Sequence, residues 1–81
     1  MKKETYHIER LNQRNEIAKI QIEEFKKIAE GYENKRLNAG GLSRVAFERI
    51  ILKINRNIFN VEKSIKHNNA VIKIHESKIT L

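Results

Sequence analysis

Cysteine and proline are both absent from this 81-residue chain. Without cysteine, neither a disulfide nor a thiolate metal site can stabilise so small a protein. Without proline, the chain lacks the residue that most strongly breaks a helix. Aspartate is absent as well, so all 10 acidic residues are Glu, which has the higher helix propensity. These absences favour an all-helical protein.

Long apolar runs are also missing. The longest run of large aliphatic residues, Ile50–Leu52, is far shorter than the roughly 20 residues of a membrane span. Lys2 and Lys3 precede Glu4 and Glu9 rather than an apolar stretch, so the N-terminus does not have the pattern of a signal peptide. We expect a soluble, cytoplasmic protein that does not enter a membrane.

The net charge is +7 and the isoelectric point is about 9.9, which suits an anionic partner such as nucleic acid, an acidic protein or a membrane surface. Charge alone does not choose among these partners. The bias towards Lys, Ile and Asn is typical of A+T-rich coding sequence, and it favours a low-GC bacterium, its phages or its plasmids as the source.

Apolar residues in the first half recur at alternating steps of three and four residues, which is the heptad pattern of a packed helix. This first seam consists of Ile8, Leu11, Asn15, Ala18, Ile22, Phe25, Ala29 and Tyr32. Asn15 is its one polar interruption. The pattern predicts a helix from about Thr5 to Leu37, although Gly31 could bend or end it because glycine costs about 1 kcal/mol relative to Ala.

The second half repeats the same pattern and again contains one Asn. Its seam consists of Phe47, Ile51, Ile54, Ile58, Val61, Ile65, Asn68, Ile72, His75 and Ile79. The pattern predicts a helix over about 43–79. A strand is the alternative for Val71–His75, because β-branched residues are frequent there.

The segment Asn38–Gly41 separates the two patterns and contains residues that adopt a positive φ at a helix end. We predict a loop over 38–42 followed by Ser43 as the N-cap of the second helix. Leu42 and Phe47 would then form a hydrophobic staple. If instead Gly40 and Gly41 stayed helical, extended chains could pair in parallel.

A reversal at this loop makes the chain a single helical hairpin, and facing seam residues should then have numbers that add to about 83. Asn15 and Asn68 satisfy that condition, so the two polar interruptions would share one layer and fix the register. The layer could form within one chain or between two. Lys19 and Lys26 would approach Glu62, whereas Glu33 and Glu48 would repel each other.

Several large apolar residues lie off both seams and need another surface to cover them. The first candidates for a partner or dimer face are Ile17, Ile20, Ile28, Val45, Leu52 and Phe59. We therefore expect a homodimer that forms a coiled-coil-like four-helix bundle. The alternative is broader packing within one chain.

The second helix carries most of the excess positive charge. Its predicted outer ridge contains Arg49, Lys53, Arg56 and Lys63, with Asn60 and His67 between and beyond them. Such a ridge could follow a phosphate backbone, or it could simply be solvated. No aromatic platform or zinc-finger spacing accompanies it.

Catalytic and metal-binding patterns are absent. Ser43, Ser64 and Ser77 have no adjacent His with an orienting acid, and Gly40–Gly41 lacks the lysine of a phosphate-binding loop. His7 and His75 could meet at the open end of the hairpin beside Glu4 and Glu76, but ordinary polar residues at a helix end explain them better than zinc does. We expect no enzyme activity, metal, cofactor or small-molecule substrate.

The sequence thus predicts a small regulatory or adaptor protein that acts by binding another protein, such as an inhibitor encoded by a phage or another mobile element. A basic helical module that binds DNA or RNA is the alternative. A purely structural subunit of a larger assembly is a third interpretation.

Overall fold

The computed structural model describes residues 3–80 of the chain, and the side chains of residues 3–79. It contains two helices, α1 (Lys3–Leu37) and α2 (Gly41–Thr80), joined by residues 38–40. The helices pack against each other along their length in opposite directions. The all-helical hairpin is therefore confirmed. The strand alternative for Val71–His75 is wrong, because this segment continues α2 without a break.

The reversal between the helices is a short turn closed by backbone hydrogen bonds. The amides of Asn38 and Ala39 donate to the carbonyls of Lys35 and Arg36, each at 3.2 Å. Asn38 Nδ2 also donates to the Asn34 carbonyl at 3.1 Å, which satisfies another acceptor at the end of α1. Gly41 has a φ of 61°. This left-handed conformation favours glycine, and it lets α2 begin at once.

The early start of α2 changes two expectations about its first turn. The helix begins at Gly41, so the loop covers 38–40 rather than 38–42, and Ser43 lies inside the helix instead of capping it. Leu42 is 89% exposed and forms no hydrophobic staple. Phe47 packs instead on the Tyr32 ring, with 5.9 Å between the ring centroids. Both corrections follow from the left-handed Gly41, which reverses the chain earlier than expected.

Gly31 does not interrupt α1. The helix passes through it to Leu37, and apart from its two chain neighbours and the surrounding helix backbone, no atom lies within 4 Å of the place where a Cβ would be. Packing of the flanking seam residues Ala29 and Tyr32 against α2 outweighs the low helix propensity of one glycine.

The hairpin is a rod of 61 × 15 × 12 Å with a radius of gyration of 18.3 Å. A compact chain of this length would have a radius of gyration of about 12 Å. The apolar residues that are buried in the described part are Ile22, Ile51, Ile54 and Ile72, all members of the predicted seams. Ile79 departs from the prediction, because it is 47% exposed beyond the last layer. Within residues 3–79, a single row of contacts thus forms the core, and these residues leave both flanks and both outer faces uncovered.

Candidate interaction surfaces

An amide cluster crosses the helix interface, closer to the open end of the hairpin than to the loop. Asn68 Nδ2 donates to Asn15 Oδ1 at 3.0 Å, and Asn15 Nδ2 donates to Asn69 Oδ1 at 3.0 Å. Asn15 is only 5% exposed, yet both its amide oxygen and its amide nitrogen have a partner. The layer of Asn15 and Asn68 thus forms within one chain. The seam pattern identified these two residues, but not Asn69, which lies one position outside the seam.

An arginine near the loop joins the two acidic residues that were expected to repel each other. Arg36 Nη2 lies 2.9 Å from Glu33 Oε2 in α1, and Arg36 Nη1 lies 3.8 Å from Glu48 Oε1 in α2. Arg44 adds a second contact to Glu48 at 3.4 Å. The apolar pattern does not reveal this bridge, because Arg36 follows the last apolar residue of the seam. Its spacing, four residues after Tyr32, places it in the seam's next layer.

The exterior ion pairs of α1 form within the helix. Lys19 Nζ lies 3.3 Å from Glu16 Oε1, and Lys26 Nζ lies 4.0 Å from Glu23 Oε1. The expected approach of Lys19 to Glu62 is therefore not made, since a neighbour one turn away in the same helix competes successfully.

The two sides of the rod differ, and each can be identified by residues that meet across the interface. The Glu48 flank is the side on which Glu33 and Glu48 share Arg36. The Val71 flank is the opposite side, where Arg14 and Val71 line one shallow groove of about 260 Å³ together with residues around His7 and His75.

The six predicted contact residues do not form one surface. Ile17, Ile20 and Ile28 of α1 are 58%, 59% and 49% exposed. Ile17 follows Arg14 by three residues and Ile28 follows it by two heptads, so both lean towards the Val71 flank. Ile20 points away from α2.

The apolar candidates of α2 lie on the other side of the rod. Val45 precedes Glu48 by three residues and Leu52 follows it by four, so both belong to the Glu48 flank, and Phe59 continues their row one heptad later. All three side chains are exposed. The hairpin therefore presents two separate apolar surfaces, one on each flank.

The predicted basic ridge lies on the outer side of α2. Arg49, Lys53, Arg56 and Lys63 are exposed, and within residues 3–79 none of them is in an ion pair. The three glutamates of α2 are Glu48, Glu62 and Glu76. They recur at 14-residue intervals in the row of Glu48, so the outermost positions of α2 carry no carboxylate. The ridge adjoins the apolar row, since Lys63 Nζ lies 5.9 Å from the centroid of the Phe59 ring.

A small polar cluster closes the open end of the hairpin. His75 Nδ1 and Glu4 Oε2 are hydrogen-bonded, and the His7 and His75 rings stack with centroids 5.1 Å apart. The hydrogen bond from His75, helped by nearby positive charge, lowers the pKa of the Glu4 carboxyl below its ordinary value. Stacked imidazoles present their faces to each other. In the described part of the chain, no group of three or more His, Cys, Asp or Glu side chains is placed to hold a metal ion.

Two of the three serines bond to the backbone of their own helix. Ser64 Oγ donates to the Asn60 carbonyl at 3.2 Å, and Ser77 Oγ donates to the Ile74 carbonyl at 2.7 Å.

Within 3–80, neither helix has an apolar stretch long enough to cross a membrane. The chain matches no protein-family model, no curated protein and no solved structure.

Proposed function

We propose that this protein is a non-enzymatic regulatory or adaptor protein that acts by binding another protein. One observation carries the proposal: Ile17, Ile20 and Ile28 remain about half exposed or more on a rod whose described residues, 3–79, form one row of buried contacts. Burial of such a side chain gains about 1.5 to 3 kcal/mol, so a partner that covered them would be held firmly. An inhibitor encoded by a phage or another mobile element is the role that we favour.

The form of the surface suits a protein groove. The three isoleucines span 11 residues of α1, which corresponds to roughly 17 Å along a helix at about 1.5 Å per residue. A rigid helix that presents apolar side chains over this length is a recurring ligand of hydrophobic grooves. Because the helix is already formed in the hairpin, binding would not incur the entropic cost of ordering it.

Affinity capture from cells of the source organism, with chemical crosslinking, tests the proposal. Ile17→Glu/Ile28→Glu should lose a specific protein that the unmodified chain retains. Asn12→Glu/Asn34→Glu is the matched control, since it adds the same charge at exposed positions of the same helix that lie outside the Val71 flank. Circular dichroism should show equal helix content in all three proteins. Capture of the same proteins by all three would contradict a role for the isoleucines.

Nucleic-acid binding is the second candidate, and the outermost positions of α2 favour it because they carry cations and no carboxylate. Arg49→Gln/Lys53→Gln/Arg56→Gln/Lys63→Gln should abolish binding to duplex DNA or RNA, measured by fluorescence anisotropy. Arg10→Gln/Lys19→Gln/Lys26→Gln/Lys27→Gln removes the same charge from α1 as a control. Four phosphate contacts predict an affinity that falls by roughly two orders of magnitude between about 50 and 200 mM salt. Equal binding by the two variants, or no salt dependence, would remove this candidate.

A further inference from the structure

We infer that the Glu48 flank is a self-recognition surface, on which α1 of each copy lies against α2 of a second copy. The inference goes beyond the proposed function, because it concerns the pairing of the chain with itself and uses the flank opposite to Ile17 and Ile28. Two rows of exposed side chains that recur every seven residues carry it, one on each helix.

The row on α1 is acidic over most of its length. Its members are Glu9, Glu16, Glu23, Glu30 and Leu37, all exposed. The row on α2 is apolar at one end and basic at the other. Its members are Val45, Leu52, Phe59, Lys66 and Lys73, also all exposed. Seven-residue spacing keeps each row on one side of its helix.

Both rows belong to the same flank of the hairpin. Glu30 lies three residues before Glu33, and Leu37 lies four residues after it. Val45 likewise lies three residues before Glu48. Glu33 and Glu48 share the Arg36 guanidinium. The acidic row and the row that ends in lysines therefore run side by side, one on each helix.

A twofold axis parallel to the helices would bring each row against its complement. Such an axis leaves every residue at its own height along the rod, so α1 of one copy meets α2 of the other with the pairing already seen within the hairpin. That pairing is fixed by the bond between Asn15 and Asn68 and by the stacked rings of His7 and His75.

At those heights the charges match at one end of the rod and the apolar side chains match at the other. Glu9 meets Lys73 of the second copy, and Glu16 meets Lys66 of the second copy. Leu37 meets Val45 of the second copy near the loop. The symmetry makes each of these contacts twice.

The middle of the interface combines charge with apolar contact. Glu23 and Glu30 lie at the heights of Phe59 and Leu52 of the second copy. Lys63 follows Phe59 by one turn of α2, and Arg56 follows Leu52 in the same way. A glutamate that packs the stem of its side chain on Phe59 or Leu52 therefore also brings its carboxylate to a cation. The Lys63 Nζ already lies over the Phe59 ring at 5.9 Å from its centroid.

The same flank disfavours other anionic occupants. A nucleic acid or an evenly acidic protein drawn to Lys66 and Lys73 would also face Glu9 and Glu30 of the acidic row, which form no ion pair within residues 3–79, and like charges in an interface oppose binding. A second copy carries both signs in the matching order. Because exposed charges supply much of the contact, the dimer should weaken as salt rises.

Charge reversal with rescue tests the inference on the full chain. Sedimentation equilibrium at low salt should give a dimer for the unmodified protein. Glu9→Lys/Glu16→Lys and Lys66→Glu/Lys73→Glu should each raise the dimer dissociation constant by about tenfold or more, since both symmetric contacts then bring like charges together. An equal mixture of the two variants should form a heterodimer, because both of its contacts again join opposite charges.

Glu24→Lys and Lys53→Glu are controls that each reverse one charge of the same kind away from the two rows, and both should dimerise as the unmodified protein does. Circular dichroism should show an unchanged hairpin in each case. A monomeric unmodified protein, controls that dissociate equally, or a mixture that stays monomeric would overturn the inference. Protein capture through Ile17 and Ile28 uses the opposite flank, so either idea can fail while the other stands.

Discussion

Asn15 of α1 and Asn68 of α2 face each other across the helix interface, joined by a hydrogen bond of 3.0 Å from Asn68 Nδ2 to Asn15 Oδ1. Asn69 completes the cluster by accepting from Asn15 Nδ2. Shifting one helix past the other would separate these amides and leave each of them facing an apolar residue of a neighbouring layer. An unsatisfied buried polar group costs about 1 to 3 kcal/mol, so the cluster selects one register.

Replacing the buried member of this cluster should destabilise the hairpin. Asn15→Ala leaves the amides of Asn68 and Asn69 without their partner and should lower the free energy of unfolding by about 1 to 3 kcal/mol in urea titrations. Asn12→Ala, one turn earlier and exposed, is the control and should change it by less than about 0.5 kcal/mol. Equal stability of the two variants would show that the cluster does not hold the register.

Alanine should have opposite effects on stability at Gly31 and Gly41, because the two glycines differ in backbone conformation. Gly31→Ala should stabilise the hairpin by about 0.5 to 1 kcal/mol, because the helix continues there and the added methyl meets open space. Gly41→Ala should destabilise it by about 1 to 2 kcal/mol, because Gly41 has a φ of 61°. Thermal unfolding followed by circular dichroism measures both. A destabilising Gly31→Ala would contradict the continuous α1.

The arginine bridge near the loop should contribute a modest, salt-sensitive stabilisation. Arg36→Ala leaves Glu33 and Glu48 without the cation between them and should lower the free energy of unfolding by about 0.5 to 1 kcal/mol. Lys27→Ala is the control, since it is exposed and removes the same charge from α1. The difference between the two variants should shrink as salt is added. If the difference in the free energy of unfolding did not change with salt concentration, Arg36 would act by packing alone.

The open end of the hairpin should respond to acid through Glu4. Its pKa is lowered from 4.5 in the folded chain by the hydrogen bond from His75, so the carboxylate stabilises the fold above that pH. The contribution is lost as the pH falls through the lowered pKa. Glu4→Gln should therefore lower the melting temperature at neutral pH and leave it nearly unchanged well below pH 4.5. Glu24→Gln, at an exposed position away from the two rows, is the control, and an equal response of both variants would exclude a special role for Glu4.

The seam pattern predicted most of the buried residues correctly, because burial in a two-helix rod depends on which side of its helix a residue occupies. It failed for individual polar contacts. Arg36 lies in the seam's next layer but is not apolar, and Asn69 lies one position outside the seam, so the apolar spacing identified neither contact. Lys19 is another, because Glu16 in its own helix is closer than Glu62.

The sequence by itself determined the two helices, the reversal between them and the register, because a three-and-four spacing, a glycine-containing turn and two matched asparagines are local features that can be counted along the chain. Only the tertiary structure decided where α2 begins, which side chains satisfy the buried amides, and how the exposed apolar residues divide between the two flanks. These outcomes depend on backbone conformation at Gly41 and on distances between helices, which residue spacing does not contain.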